Sequence, residues 1–178
     1  MHTQPDRNCG FTLIEASAVL AITTLLATAA APGMQDLINA RRLDNATTQL
    51  ASDIHLTRTA ALARNQAVRL SFVSRSGGSC YVIHTGSAGA CDCSSEGPAT
   101  CQGSAREIKT VALSDADRVR ISANVGSVLF DPMHGTSTPT GTGRVIVVDG
   151  REVRHIINIM GRVRSCSPVP SVPGYRAC

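Results

Sequence analysis

Hydrophobic positions along this chain follow three successive rhythms. From Phe11 to Ala31 they are almost continuous, 21 residues in which Glu15 is the only ionisable side chain. A helix needs about 20 mostly apolar residues to cross a bilayer. This run is long enough, although it is rich in Ala and Thr rather than Leu. After Pro32 and Gly33 the apolar residues thin out to Leu37, Ile38, Leu43, Ala46, Leu50, Ile54, Ala60 and Ala61. Their mostly i, i+3, i+4 spacing marks one stripe of an amphipathic helix. Asp36, Arg41, Arg42, Asp44, Asp53, Arg58 and Arg64 fall on the other face. Proline inside a helix removes a hydrogen bond and kinks or ends it. Helical signals resume at once after Pro32, so a kink in one long helix is expected.

After Asn65 the period drops to two. Val68 to Val73 alternates, Arg75 to Ser79 is a turn, and Cys80 to Thr85 returns as the partner strand. Further short strands are predicted at 106–113, 118–123, 127–130, 144–149 and 153–160, with Asp149-Gly150 as a turn signal between the last two. Residues 86–105 read as a long, cysteine-bearing loop and 131–143 as a flexible one. The fold class this predicts is α+β: one long helix with a hydrophobic first half, packed on antiparallel sheet of about seven short strands. The divisions are 1–10 as a leader, 11–33 as the membrane half of the helix, 34–65 as its amphipathic half, 66–165 as a β-rich globular domain and 166–178 as a C-terminal loop.

Charge and cysteines refine this picture. The 17 basic residues exceed the 13 acidic ones by four. The excess lies in the C-terminal stretch, where Arg144, Arg151, Arg154, Arg162, Arg164 and Arg176 face only Asp149 and Glu152. Clustered charge of one sign suggests an anionic partner. Of seven cysteines, Cys9 lies in the leader, and the remaining six are Cys80, Cys91, Cys93, Cys101, Cys166 and Cys178. An even set in an exported domain reads as a disulfide framework. Closeness in sequence favours Cys166 with Cys178 and leaves the other four to pair within 80–101. Cys91 and Cys93 are not expected to pair with each other. Cys91-Asp92-Cys93 lacks the spacing of a zinc site, so no metal and no cofactor is expected.

The leader MHTQPDRNCG does not have the build of a secretory signal, because its small residue precedes the apolar run instead of following it. Gly10-Phe11-Thr12-Leu13-Ile14-Glu15 resembles the prepilin motif of type IV pilins and type II secretion pseudopilins. The resemblance implies cleavage after Gly10 by a prepilin peptidase and methylation of the Phe11 amine. It also implies that Glu15 meets that amine, in its own chain and in a neighbouring subunit, and so sets register during assembly. A carboxylate in lipid is costly without such a partner. Phe130-Asp131-Pro132 with Gly135, and the terminal Gly161-Arg162-Val163-Arg164, resemble the GspH/FimT-type minor pilins, FimT most of all. The cysteine-rich 86–105 stretch lies outside that pattern. The implied location is the inner membrane before assembly and then the pilus, with other major and minor pilins and membrane lipid as partners.

No phosphate-binding loop, nucleophile elbow, zinc-protease motif or dinucleotide fingerprint occurs, so an enzyme is not expected. His55, His84, His134 and His155 read as surface or core residues. The terminal motif carries the candidate chemistry. In an extended segment Arg162 and Arg164 share a face, about 7 Å apart, with Val163 turned inward. That spacing suits successive phosphates, and each guanidinium bonds phosphate with two donors. In FimT-like pilins a G-R-x-R motif is implicated in binding DNA for uptake. The resemblance therefore nominates Gly161, Arg162 and Arg164 for DNA, with Arg176, Arg154, Arg151 and Arg144 as helpers. With few aromatic residues to stack on bases, binding would be to phosphate, independent of sequence and sensitive to salt. The plainer reading is a solvated, charged strand end on a structural pilin, either a FimU-like tip component or a GspH-like pseudopilin.

Overall fold

The computed structural model describes residues 11–93, 97–168 and 172–178. It divides into two compact units, Met1–Ile38 and Asn39–Cys178. One helix, α1 (Leu13–Arg64), begins in the first unit and ends in the second, and it runs through Pro32 without ending. In the first unit every described residue is exposed, including Leu13, Ile14, Leu20, Ile22, Leu25 and Leu26. A helix that is apolar on all sides belongs in a membrane or in a packed assembly.

The second unit is built on the other half of α1. Leu43, Leu50, Ile54 and Ala61 are buried at helical spacing, as the stripe predicts. Asn39, Thr47, Asp53 and Thr57 fill the same face, whereas Leu37 and Ile38 are exposed. The strands are β1 (Val68–Arg75), β2 (Gly78–Thr85), β3 (Cys91–Asp92), β4 (Thr100–Cys101), β5 (Glu107–Ser114), β6 (Val119–Ala123), β7 (Ser127–Phe130), β8 (Ser137–Thr138), β9 (Gly141–Val147), β10 (Glu152–Ile157), β11 (Val163–Ser167) and β12 (Arg176–Ala177). They form one sheet in the order β5-β2-β1-β7-β8, a second in the order β12-β11-β10-β9-β6, and the small pair β3-β4. All pairings are antiparallel except β11 with β12. The architecture is α+β, with one helix packed against antiparallel sheets. It holds more strands than expected because β11 and several two-residue strands carry no clear period, and β9 starts at Gly141, inside the stretch expected to be a loop.

One core joins α1 to both sheets. It contains Val68, Leu70, Tyr81, Ile83, Val128 and Phe130 from the first sheet and Val119, Ile121, Val145, Val147, Val153 and Ile157 from the second. A buried polar network ties the helix to the first sheet. The Asp53 carboxylate accepts hydrogen bonds from Gln49 Nε2 at 2.9 Å, Tyr81 Oη at 2.7 Å and Lys109 Nζ at 2.7 Å. Burial, and then the hydrogen bond to Asp53, push the Tyr81 phenol well above its ordinary range.

Strand β2 is buried along its whole length, which is unusual for an antiparallel strand. One face meets α1. The other lies under the cysteine-rich segment, where Cys80, Val82, Cys91 and Cys93 form a second small core with Val73, Ala99, Cys101, Ala105 and Ala112 around it. Two interlaced disulfides, Cys80–Cys93 and Cys91–Cys101, fasten this cover, and Cys166–Cys178 closes the C-terminal loop. The buried His84 is fully satisfied: Nδ1 donates to the Thr85 carbonyl at 2.9 Å and Nε2 accepts from Ser71 Oγ at 2.8 Å.

Candidate functional site

The N-terminal candidates sit at the start of α1. Gly10 lies outside the described residues. Phe11 is 82% exposed and precedes the first helical turn. The Glu15 amide donates to Thr12 Oγ1 at 3.3 Å, so Thr12 acts as an N-cap. Glu15 thus stands in the first turn, where the unpaired amides of the helix favour a carboxylate. Its side chain is exposed and open to a partner.

The C-terminal candidates gather on the second sheet. Burial alternates along β9 and β10 and places Thr142, Arg144, Ile146, Glu152, Arg154 and Ile156 on the outer face. Register then aligns the arginines. Arg154 stands opposite Arg144 on one side and Cys166 on the other, Cys166 stands opposite Arg176, and Arg164 stands opposite Ile156. Arg144, Arg154, Arg164 and Arg176 therefore belong to one face. Arg164, Arg176, Ile156 and the Cys166–Cys178 bond border a common hollow of about 390 Å³.

These arginines differ in what they already hold. Arg154 Nε donates to Glu152 at 2.7 Å. Arg151 grips Asp149 in the β9–β10 turn at 2.6 Å and holds that carboxyl below the usual carboxylate range. Among the described residues Arg144, Arg162, Arg164 and Arg176 form no ion pair.

The terminal motif is not extended throughout. Strand β11 starts at Val163, which packs against the core. Arg162 precedes it in a hairpin loop, where its amide donates to Asn158 Oδ1 at 2.9 Å and its carbonyl accepts from the Asn158 amide at 3.1 Å. The alternation argument thus reaches Arg164 but not Arg162, although both are exposed. Gly161 is a packing residue. It is buried, at φ +69°, and a Cβ there would fall well inside contact distance of the Gly135 carbonyl oxygen. That oxygen accepts from Arg58 Nε at 3.0 Å, while Ser137 donates to the Asn158 carbonyl through Oγ at 2.6 Å and to the Ile159 carbonyl through its amide at 2.9 Å. Arg58 on α1 and Gly135 thus enclose Gly161 from positions far apart in sequence. Neither has a local signal, beyond glycine at 135, that could have revealed it.

His155 is buried, with Nδ1 on Ser165 Oγ at 2.9 Å. Burial lowers its pKa to about 4. No group of three or more His, Cys, Asp or Glu that could hold a metal occurs among the described residues.

A long helix, apolar at its start and packed at its end on antiparallel sheets, defines a type IV pilin-like protein. The model of the prokaryotic N-terminal methylation motif matches residues 5–31, and that of the type II transport protein GspH matches residues 46–161. The chain belongs to the GspH family of minor pilins and pseudopilins. The fold is similar to that of the Pseudomonas aeruginosa type IV minor pilin FimU in two crystal forms. One matches with a TM-score of 0.54 at 16% identity over 72% of this chain and 94% of the crystallised FimU chain, the other with 0.51 at 14% over 71% and 97%. No curated protein matches the chain significantly. The methylation motif implies processing by a prepilin peptidase and assembly with other pilins. The family and the apolar helix fit anchoring in the inner membrane followed by assembly. The family's role is structural, not enzymatic.

Proposed function

We propose that this minor pilin joins a type IV pilus and binds extracellular DNA for uptake in natural transformation, through phosphate contacts independent of sequence. One observation supports the reading: Arg144, Arg164 and Arg176 stand on one sheet face, Arg162 lies in the loop leading into it, and none of the four forms an ion pair among the described residues. Such guanidiniums reach phosphate without first breaking a bond. Arg162 and Arg164 are the central contacts, Arg176 and Arg144 extend them, and Arg154 and Arg151 contribute charge while held by their own acids. Gly161 serves by shaping the loop. Before assembly the apolar half of α1 rests in membrane lipid, and Glu15 pairs with the processed amine.

The test is DNA binding by the mature chain in neutral detergent, read by the anisotropy of a labelled duplex at several salt concentrations. Each lost phosphate contact lowers the slope of log K against log salt by about 0.9. Arg162→Ala/Arg164→Ala is expected to remove nearly two such units in a protein with unchanged circular dichroism. No binding at low salt, or an unchanged slope, refutes the proposal. The match to the GspH model and the FimU-like fold also suit a second reading, a structural pilus-tip component or secretion pseudopilin that does not bind DNA.

A further inference from the structure

We infer that Arg164 and Arg176 form a single two-guanidinium cradle for one backbone phosphate, and that the Cys166–Cys178 disulfide is what makes Arg176 a member of it. The inference rests on the DNA-binding reading above and adds a positioning element to that site.

The sheet register supports it. Cys166 stands opposite Arg176 on the parallel pair β11–β12, and Arg164 lies two residues before Cys166 on the same strand. Residues two apart share a face, so Arg164 and Arg176 occupy diagonal positions. With strands about 4.8 Å apart and a rise of about 3.3 Å per residue, their Cα atoms lie roughly 8 Å apart. Two arginine side chains at that distance can close on one phosphate. Both border the same hollow, with Ile156 and the disulfide as its apolar walls. Glu152, an acid on this face, is already held by Arg154.

Among the described residues, Val172 and Tyr175 pack the tail against the core, and few hydrogen bonds hold it beyond them. Strand β12 has two residues. Beside the disulfide, the Cys178 amide donates to the Ser167 carbonyl at 3.1 Å, and the Val172 amide donates to Ser167 Oγ at 3.0 Å. Tyr175 reaches Asp44 only at 3.5 Å. A parallel edge pairing this short does not fix a strand by its own hydrogen bonds. The disulfide joins the residue opposite Arg176 to the residue two after it, and so holds the guanidinium at the hollow.

The experiment compares salt slopes for duplex DNA on the full mature chain in neutral detergent. The proteins are wild type, Arg176→Ala, Cys166→Ser/Cys178→Ser, the combination of these, and Arg164→Ala alone and in the Cys166→Ser/Cys178→Ser background. With Arg164 still on the shared phosphate, Arg176→Ala is expected to lower the slope by a measurable part of the roughly 0.9 that a whole lost contact removes. The cysteine variant should lower it equally, and the combination should lower it no further. Arg164→Ala must lower it in both the oxidised and the serine backgrounds, and by a whole contact, about 0.9, in the serine one, where Arg164 is the last guanidinium on the phosphate. A cysteine variant that keeps the wild-type slope overturns the inference, and so does additive loss in the combination. A cysteine variant that does not fold also overturns it, because the bond then serves the fold and not the placement of Arg176. An unchanged slope for Arg176→Ala alone overturns the shared cradle. If wild type itself shows no salt-dependent binding, the DNA reading fails instead.

Discussion

Replacing Gly161 with alanine separates packing from contact in the terminal motif. Two costs are set by the structure. The residue sits at φ +69°, where an L side chain costs about 1–2 kcal/mol. The new Cβ would also press on the Gly135 carbonyl oxygen, with Arg58 Nε and Cδ only 3.1 and 3.3 Å away. Backbone cannot yield as a side-chain end does, so the 131–135 loop must retreat. Retreat sacrifices the bond from Arg58 to Gly135 and strains the one from the Ser137 amide to the Ile159 carbonyl, at about 1 kcal/mol each. The sum is roughly 3 kcal/mol, or about 10 °C in Tm for a unit of this size. Gly150 is the internal control. It has φ +86° in the β9–β10 turn with nothing within 4 Å of its added Cβ, so Gly150→Ala incurs only the conformational cost. Calorimetry on the full chain in detergent measures both. Equal losses in the two variants would refute the packing role of Gly161.

Three further outcomes are expected. Asp53→Ala leaves the Tyr81 hydroxyl buried without its acceptor and should cost roughly 3 kcal/mol, against about 1 kcal/mol for Tyr81→Phe, as read by urea unfolding. His155 has a folded pKa of about 4, below its ordinary 6.5, so the unfolded chain binds the extra proton. Stability should therefore fall as pH drops from about 6.5 toward 4, by on the order of 3 kcal/mol from this group, and His155→Leu should flatten that part of the profile. Glu15→Ala should leave cleavage after Gly10 intact but reduce recovery of the protein in sheared pili, and normal recovery would count against an assembly role.

The long helix was legible because its two halves have unmistakable patterns, one apolar throughout and one striped. Strands β1, β2, β5, β6, β7, β9 and β10 were legible from period two and from turn glycines. Strand β11 was not, because Ser165, Cys166 and Ser167 carry no hydrophobic alternation and the strand is held by register with β10 and by a disulfide. Thr47, Asp53 and Thr57 on the buried helix face read as polar; their place follows from partners on distant strands and from packing. The arginine face was visible as a cluster of charge. Which arginines are already engaged was not, because Glu152 and Asp149 declare their partners only once the β9–β10 hairpin is formed. Gly161 resembled part of a binding motif, and its clash with Gly135 belongs to two loops that sequence distance keeps apart.

The cover over β2 has a bearing on how the protein must be made. Val73, Val82 and Ala112 form an apolar sheet back, and what shields it is a segment fastened by Cys80–Cys93 and Cys91–Cys101. Neither link closes a self-contained loop, since Cys91 lies inside the first and Cys93 inside the second. In a reducing cytoplasm that back would stand bare, a sticky surface in a chain already carrying a membrane segment. Production therefore belongs in an oxidising compartment, and a host strain without thiol oxidation should yield aggregates in place of a soluble domain.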